Sequence, residues 1–251
     1  WQDAEDLWLF GFWWWDWADQ AVKVASVDGD KNIIKTADAH TYGYRTGRRF
    51  YAFNLLEEID EPGECYLNRL SGVLYLYPPC PLAAADIEFS HLKEPMVALD
   101  EASHIILRDL ILETSRGMAI TIREGTSNRV IGCTIRKTAE AAIVISGGVG
   151  HQVLSCDIHD TNGGISVAGG DRKTLTPGKH LVDNCHIHRY SRLSKTSVFA
   201  ISLRGCGLTA RHNLIHDAPH VAIGFHGNDH LIEFNEICDV CQETSDAGVI
   251  Y

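Results

Sequence analysis

Asp246 and Glu243 stand three residues apart in the turn Glu243-Thr-Ser-Asp246-Ala-Gly248. Two carboxyl groups held about 5 Å apart can cleave a glycosidic bond, one as acid and the other as nucleophile or base. Asp246 is the expected catalytic carboxylate and Glu243 its candidate partner. The side chains expected to hold a sugar are His220, His226, Asn162 and the adjacent pair Asp171-Arg172, which follows a Gly-Gly corner. Seven of the 13 histidines fall between residues 186 and 230. Any one of them is ordinarily a surface residue, so the crowding is the signal. A lyase would use different chemistry, with a carboxylate cluster binding Ca²⁺ through oxygen and an arginine such as Arg172, Arg189, Arg192 or Arg204 as base. No tight Asp/Glu group of that kind stands out, so no metal ligand or cofactor is assigned and Ca²⁺ enters only with the lyase alternative.

The elements that must position these residues are repeats. One short pattern recurs from residue 103 onward, centred on Asp109, Cys133, Cys156, Cys185, Asn213 and Asn235, each followed two residues later by isoleucine: Ile111, Ile135, Ile158, Ile187, Ile215 and Ile237. The 22 to 29 residues between copies exceed a heptad and fit one turn of a solenoid. A second apolar pair closes each copy, from Ala119-Ile120 through Ala222-Ile223 to Gly248-Val249. Period-two alternation with β-branched residues and glycine corners makes the segments strands. The expected fold is therefore all-β, a right-handed parallel β-helix of about six coils, with equivalent residues about 4.8 Å apart. Cys133, Cys156 and Cys185 should stack inside, continued by an Asn213–Asn235 ladder. Aligning the closing pairs places Gly117, Glu140, Asn162, Val198, His220 and Asp246 in one outward column, with His220 beneath Asp246. Two long corners, 169–178 and 191–197, are where a rigid solenoid carries binding residues.

Composition narrows the partners. A net charge of −11 argues against nucleic acid, which needs a basic face to displace counterions, and against anionic lipid. No apolar run reaches the length of a membrane span. The cysteines outside the column, Cys65, Cys80, Cys206, Cys238 and Cys241, are an odd set and a poor disulfide framework. Trp1 without a preceding Met, and Tyr251 inside a strand pattern, are expected to belong to a longer chain. Self-association through open solenoid ends is a further expectation.

Residues 1–80 carry all six tryptophans and no repeat. They read as a small β-sandwich-like domain, inserted before the helix at 81–251, with Asn68-Arg-Leu-Ser-Gly72 as a hairpin turn. The aromatic run 7–17 serves either as core or as a sugar-stacking platform.

Gly169-Gly-Asp-Arg172, Asn184-Cys-His-Ile-His188, His216-Asp-Ala-Pro-His220, the segment 227–236 and Ser245-Asp-Ala-Gly248 carry a resemblance. The chain resembles right-handed parallel β-helix proteins of the pectate-lyase-like superfamily, and within them glycoside hydrolases of the α-fucosidase and xylanase type, family 141. Asn54-Leu-Leu-Glu-Glu58 and Gly72-Val-Leu-Tyr-Leu-Tyr-Pro78 are similar to the β-sandwich insertion of those proteins. The resemblance implies a plant or algal cell-wall polysaccharide as substrate, an extracellular or periplasmic location, and a cleft carboxylate at Asp246. Two other readings stay open, a Ca²⁺-assisted polysaccharide lyase and a non-catalytic carbohydrate-binding or filament-forming rod.

Overall fold

The computed structural model describes residues 1–251, apart from the side chain of Ala84. The chain divides into two compact units, Trp1–Glu88 and Phe89–Tyr251.

In the second unit each coil contributes one short strand to each of three parallel six-stranded sheets. The first sheet runs from Val97–Asp100 through Ile120–Arg123, Ala141–Ser146, Gly163–Gly169 and Ile201–Cys206 to Ile223–Asn228. The second runs from Ile106–Arg108 to Leu231–Glu233, and the third from Ile111–Ser115 to Glu236–Ile237. Alternation decides which residues turn inward. Ile120, Ile143, Ile165, Ile201 and Ile223 are paired in register on the first sheet. Val130, Val153, Val182 and Ala210 do the same on the second, and Ile135, Ile158, Ile187 and Ile215 on the third. All are fully buried and form one continuous core, each large side chain contributing roughly 1.5–3 kcal/mol of transfer free energy.

The corner between the second and third sheets turns on a single left-handed residue in every coil: Asp109, Gly132, Ser155, Asn184, His212 and Phe234, with φ between 52° and 62°. The next residue points inward and forms the expected column. Cys133, Cys156 and Cys185 are buried and reduced, and their thiols donate to the carbonyls of Ile131, Leu154 and Asp183. The Cys156 thiol and burial raise the Cys133 pKa far above the ordinary thiol range. Asn213 Oδ1 then accepts the Cys185 N–H at 2.9 Å, and Asn235 Oδ1 accepts both the N–H and the amide of Asn213, at 3.0 and 2.8 Å.

Two registers differ from the sequence reading. Thr134 pairs with Ile111 and Ile135 with Leu112, so Ile111 faces outward, 66% exposed, and Leu112 packs on the core. Asp109 occupies the left-handed corner beside Gly132 rather than the cysteine column. Aspartate tolerates that conformation, and the polar residue therefore marks the bend. At the other end Ile223 bridges to Ile250, not Val249.

A second ladder lies at the corner between the first and second sheets. Asn128 Oδ1 accepts the N–H of Ile105, His151 Nδ1 that of Asn128, His180 Nδ1 that of His151, and His230 Nδ1 that of Leu208. Each coil thus uses a side chain of the following coil to satisfy a backbone donor that the bend removes from the strand ladder.

The first unit holds a four-stranded antiparallel sheet in the order Ile33–Thr36, Asp19–Asp28, Trp8–Phe12, Phe50–Phe53. Its core is Leu7, Leu9, Trp13, Val22 and Leu55. A separate hairpin joins Cys65–Asn68 to Val73–Leu76. Asn68 Oδ1 caps its turn by accepting the N–H groups of Leu70 and Ser71. The aromatic run divides its roles: Trp13 is core, while Trp15, 40% exposed, lies parallel to Trp17 with rings 6.2 Å apart.

Candidate functional site

The outer face of the first sheet is polar because every inward isoleucine is flanked by outward residues. Thr121, Val144, Ser166, Ser202 and Gly224 form one outward column, and Arg123, Ser146, Ala168, Arg204 and His226 the next. Where the long corner 191–197 returns to this sheet, a hollow of about 280 Å³ is lined by Glu140, Asn162, Ser166, Phe199, Ser202 and Arg204. Among the described residues neither the Glu140 carboxylate nor the Arg204 guanidinium has a protein partner. Both charges stand open to a ligand, flanked by serine hydroxyls that can donate or accept.

Arg172 and His226, both expected sugar-holding residues, come together. The Arg172 guanidinium donates to His226 Nε2 at 2.7 Å and to Asn228 Oδ1 at 3.2 Å. His226 follows Arg204 along its column, so the sheet edge carries two arginines and an imidazole. Asp171 turns to its own loop, where Oδ1 accepts the Lys173 N–H and Oδ2 the Thr174 hydroxyl. Those bonds lower its pKa and make it a turn former. Asn162 lines the hollow, but its Oδ1 accepts the N–H groups of Leu193 and Ser194 at 3.0 and 2.9 Å, fixing the long corner in place.

The expected catalytic pair lies in the last coil. Glu243 accepts from Lys195 Nζ at 3.1 Å. Asp246 is exposed in a left-handed corner, φ 55°, and among the described residues its carboxylate has no partner. His220 is 6% exposed, packs on Phe199 and meets Thr244 Oγ1 at 3.3 Å. The next coil therefore contacts it through Thr244, where the sequence alignment put Asp246. Backbone hydrogen bonds from the Gln242 and Glu243 N–H groups to the Ala218 and Pro219 carbonyls, and from the Thr244 hydroxyl to Pro219, set residues 242–244 beside 218–220.

Sequence reasoning missed the roles of Ser166 and Ser202, although their alternation with Ile165 and Ile201 was a usable signal. It also assigned no role to the outer face of the third sheet, where His159, His188 and His216 are in register, with His186 beside them. The His186 and His188 rings lie 4.3 Å apart, and the His188 and His216 rings 5.0 Å. Burial, then the neighbouring His186, lower the His188 pKa to about 4.

No curated protein matches the sequence. A solved structure titled "Glycoside hydrolase" has the same fold, with a TM-score of 0.78 at 13% identity over 99% of this chain, and the chain spans 57% of that protein's length. The family model "Right handed beta helix region" matches residues 84–237. That segment contains every strand of the three parallel sheets, from Val97–Asp100 to Glu236–Ile237, and the chain belongs to the right-handed β-helix family.

Proposed function

We propose that this β-helix binds a polysaccharide across the outer face of its first sheet and hydrolyses it as a glycoside hydrolase. The observation that carries the reading is the open hollow in which Glu140 and Arg204, both without protein partners, flank Ser166 and Ser202. The likeness to a glycoside hydrolase structure supports it. Asp246 is the proposed catalytic carboxylate and Glu243, oriented by Lys195, its partner. His220, His226, Asn162, Asp171 and Arg172 shape the binding face, the asparagine and aspartate by holding its two long corners. A plant or algal wall polysaccharide is the proposed substrate, which implies work outside the cytoplasm.

Arg204, Arg172 and His226 on one edge favour an acidic sugar within that class. The same feature supports a lyase as the second reading, since an arginine can serve as base. Reducing-end release from a panel of neutral and uronate-containing polysaccharides tests both. Release without the absorbance of an unsaturated uronate supports hydrolysis, and release with it supports elimination. Binding without release supports a non-catalytic module. Failure of every polysaccharide to bind, or binding undiminished in Arg204→Ala, overturns the proposal.

A further inference from the structure

The strand His186–His188 carries an imidazole on either side of the buried Ile187, so both rings project from the outer face of the third sheet. His216 stands next to His188 in the following coil. Ring nitrogens of His186, His188 and His216 all lie within 4.8 Å of one another. His186 Nε2 and His216 Nε2 face each other at 2.8 Å.

The partners on the far sides of these rings decide what that close approach means. His216 Nδ1 is 2.8 Å from Asp217 Oδ2, and His186 Nδ1 is 3.4 Å from Asp157 Oδ1. A carboxylate accepts, so His216 Nδ1 carries the proton, and the negative charge of Asp157 beside His186 Nδ1, although it makes no hydrogen bond there, favours the same tautomer in His186. Both Nε2 atoms then present lone pairs to one another, a repulsive arrangement unless a cation lies between them. His188 adds a third nitrogen ligand. It is 8% exposed, and its Nδ1 is buried with no hydrogen-bond partner. Its Nε2 is 3.5 Å from Asp157 Oδ1, which likewise makes no hydrogen bond. Orphaned buried polar atoms are uncommon and call for a ligand.

We propose that His186, His188 and His216 bind one first-row transition-metal ion of the zinc, nickel or copper(II) class. Imidazole suits these ions, whereas calcium and magnesium take oxygen ligands. Metal–nitrogen bonds of about 2.0–2.1 Å require the two Nε2 atoms to separate by a fraction of an ångström, a small side-chain rotation on an outer face. Asp217 and Asp157 orient the rings through the opposite nitrogens, the usual outer-shell arrangement for a metal-bound histidine. The site lies on the third sheet, whereas the proposed polysaccharide face is on the first, and it stands or falls independently of that reading.

The test uses tag-free, chelator-stripped protein and Zn²⁺ alone, followed by calorimetry, with Co²⁺ as a spectroscopic probe. One equivalent of Zn²⁺ is expected per chain, and Co²⁺ should give the visible bands of a nitrogen-ligated ion. His188→Ala and His216→Ala should each weaken binding at least about tenfold, and Asp217→Asn by about 10-fold or more. His212→Ala, on the second-to-third corner outside the cluster, should bind as the parent does. Unchanged melting curves show that the variants fold. No Zn²⁺ uptake, or uptake equal in the parent and both histidine variants, overturns the site and leaves a proton shared between His186 and His216 as the cation that joins them.

Discussion

His151 and His180 stack with ring centroids 5.0 Å apart and planes 2° from parallel, while His180 Nδ1 accepts the backbone N–H of His151. Both rings are buried. The hydrogen bond requires the lone pair on Nδ1, so the proton of the neutral ring sits on Nε2, which has no partner. Protonating Nδ1 would break the ladder and bury a charge.

Acid sensitivity follows. Burial, then His151, hold the His180 pKa at about 4, below its ordinary 6.5. As pH falls the unfolded chain takes up the proton first. The contribution is therefore complete above about pH 6.5 and is lost down to about pH 4, amounting to about 3 kcal/mol for a shift of this size. Urea midpoints across that window should fall with pH. His180→Asn, which retains an acceptor as Asn128 does two coils earlier in the same ladder, should flatten the fall. An equal slope in the variant would place the proton uptake elsewhere.

Thiol accessibility should separate the cysteines sharply. Cys133, Cys156, Cys185 and Cys206 are buried, while Cys65, Cys80 and Cys238 are exposed. Labelling of native protein should modify the exposed set within the dead time and spare the buried set until the chain unfolds. Rapid modification of the column would refute the packing at the corner between the second and third sheets.

Asn213→Leu should lower stability by roughly 1–3 kcal/mol. The leucine keeps the volume but leaves the Cys185 N–H without its acceptor and Asn235 Oδ1 without the Asn213 amide. A melting curve equal to that of the parent would mean the ladder is replaced by other partners.

Gly205 is a backbone constraint of another kind. Its φ is 126°, and a Cβ there would meet the Gly169 carbonyl oxygen at 1.9 Å. Gly169, Gly205 and Gly227 are in register, so the coils approach too closely for any side chain. Gly205→Ala should cost more than about 3 kcal/mol, combining strain and clash. A loss below about 1 kcal/mol would show that the corner has room to shift.

The parallel coils were legible because a Cys, Asn or Asp followed two residues later by Ile recurs in all six copies, and the core columns follow from alternation alone. Register failed at both ends of the repeat for a local reason. Asp109 looks like a ladder residue but serves the left-handed corner, and Val249 precedes the residue that bridges to Ile223. The imidazole ladder was hidden because His180 follows His151 by 29 residues, the corner 169–178 intervening, and because histidine reads as surface. Arg172 and His226 were both read as binding residues, yet 54 positions separate them and only the stacking of coils brings the pair together. Asn162 and Asp171 were read as ligand groups. Their oxygens are instead committed to loop N–H and hydroxyl donors, which spacing does not reveal.

The catalytic assignment separates two carboxylates. Glu140 lines the hollow on the first sheet, and Asp246 is exposed at the corner of the last coil. Neither has a protein partner among the described residues, so neither carboxylate is needed to satisfy a buried donor. Replacing either by its amide should leave the melting curve within about 0.5 kcal/mol of the parent, as for surface positions away from such features. Hydrolysis needs a group that carries a proton or attacks carbon, which an amide cannot do. With a polysaccharide identified by screening, Asp246→Asn should lower turnover by about 10² or more, the size of a lost acid or base. Glu140→Gln should raise KM while leaving most of kcat, as removal of a group that contacts ligand equally in the ground and transition states does. The reverse result, with Glu140→Gln abolishing turnover and Asp246→Asn unchanged, would move the reaction into the hollow and remove Asp246 from the chemistry.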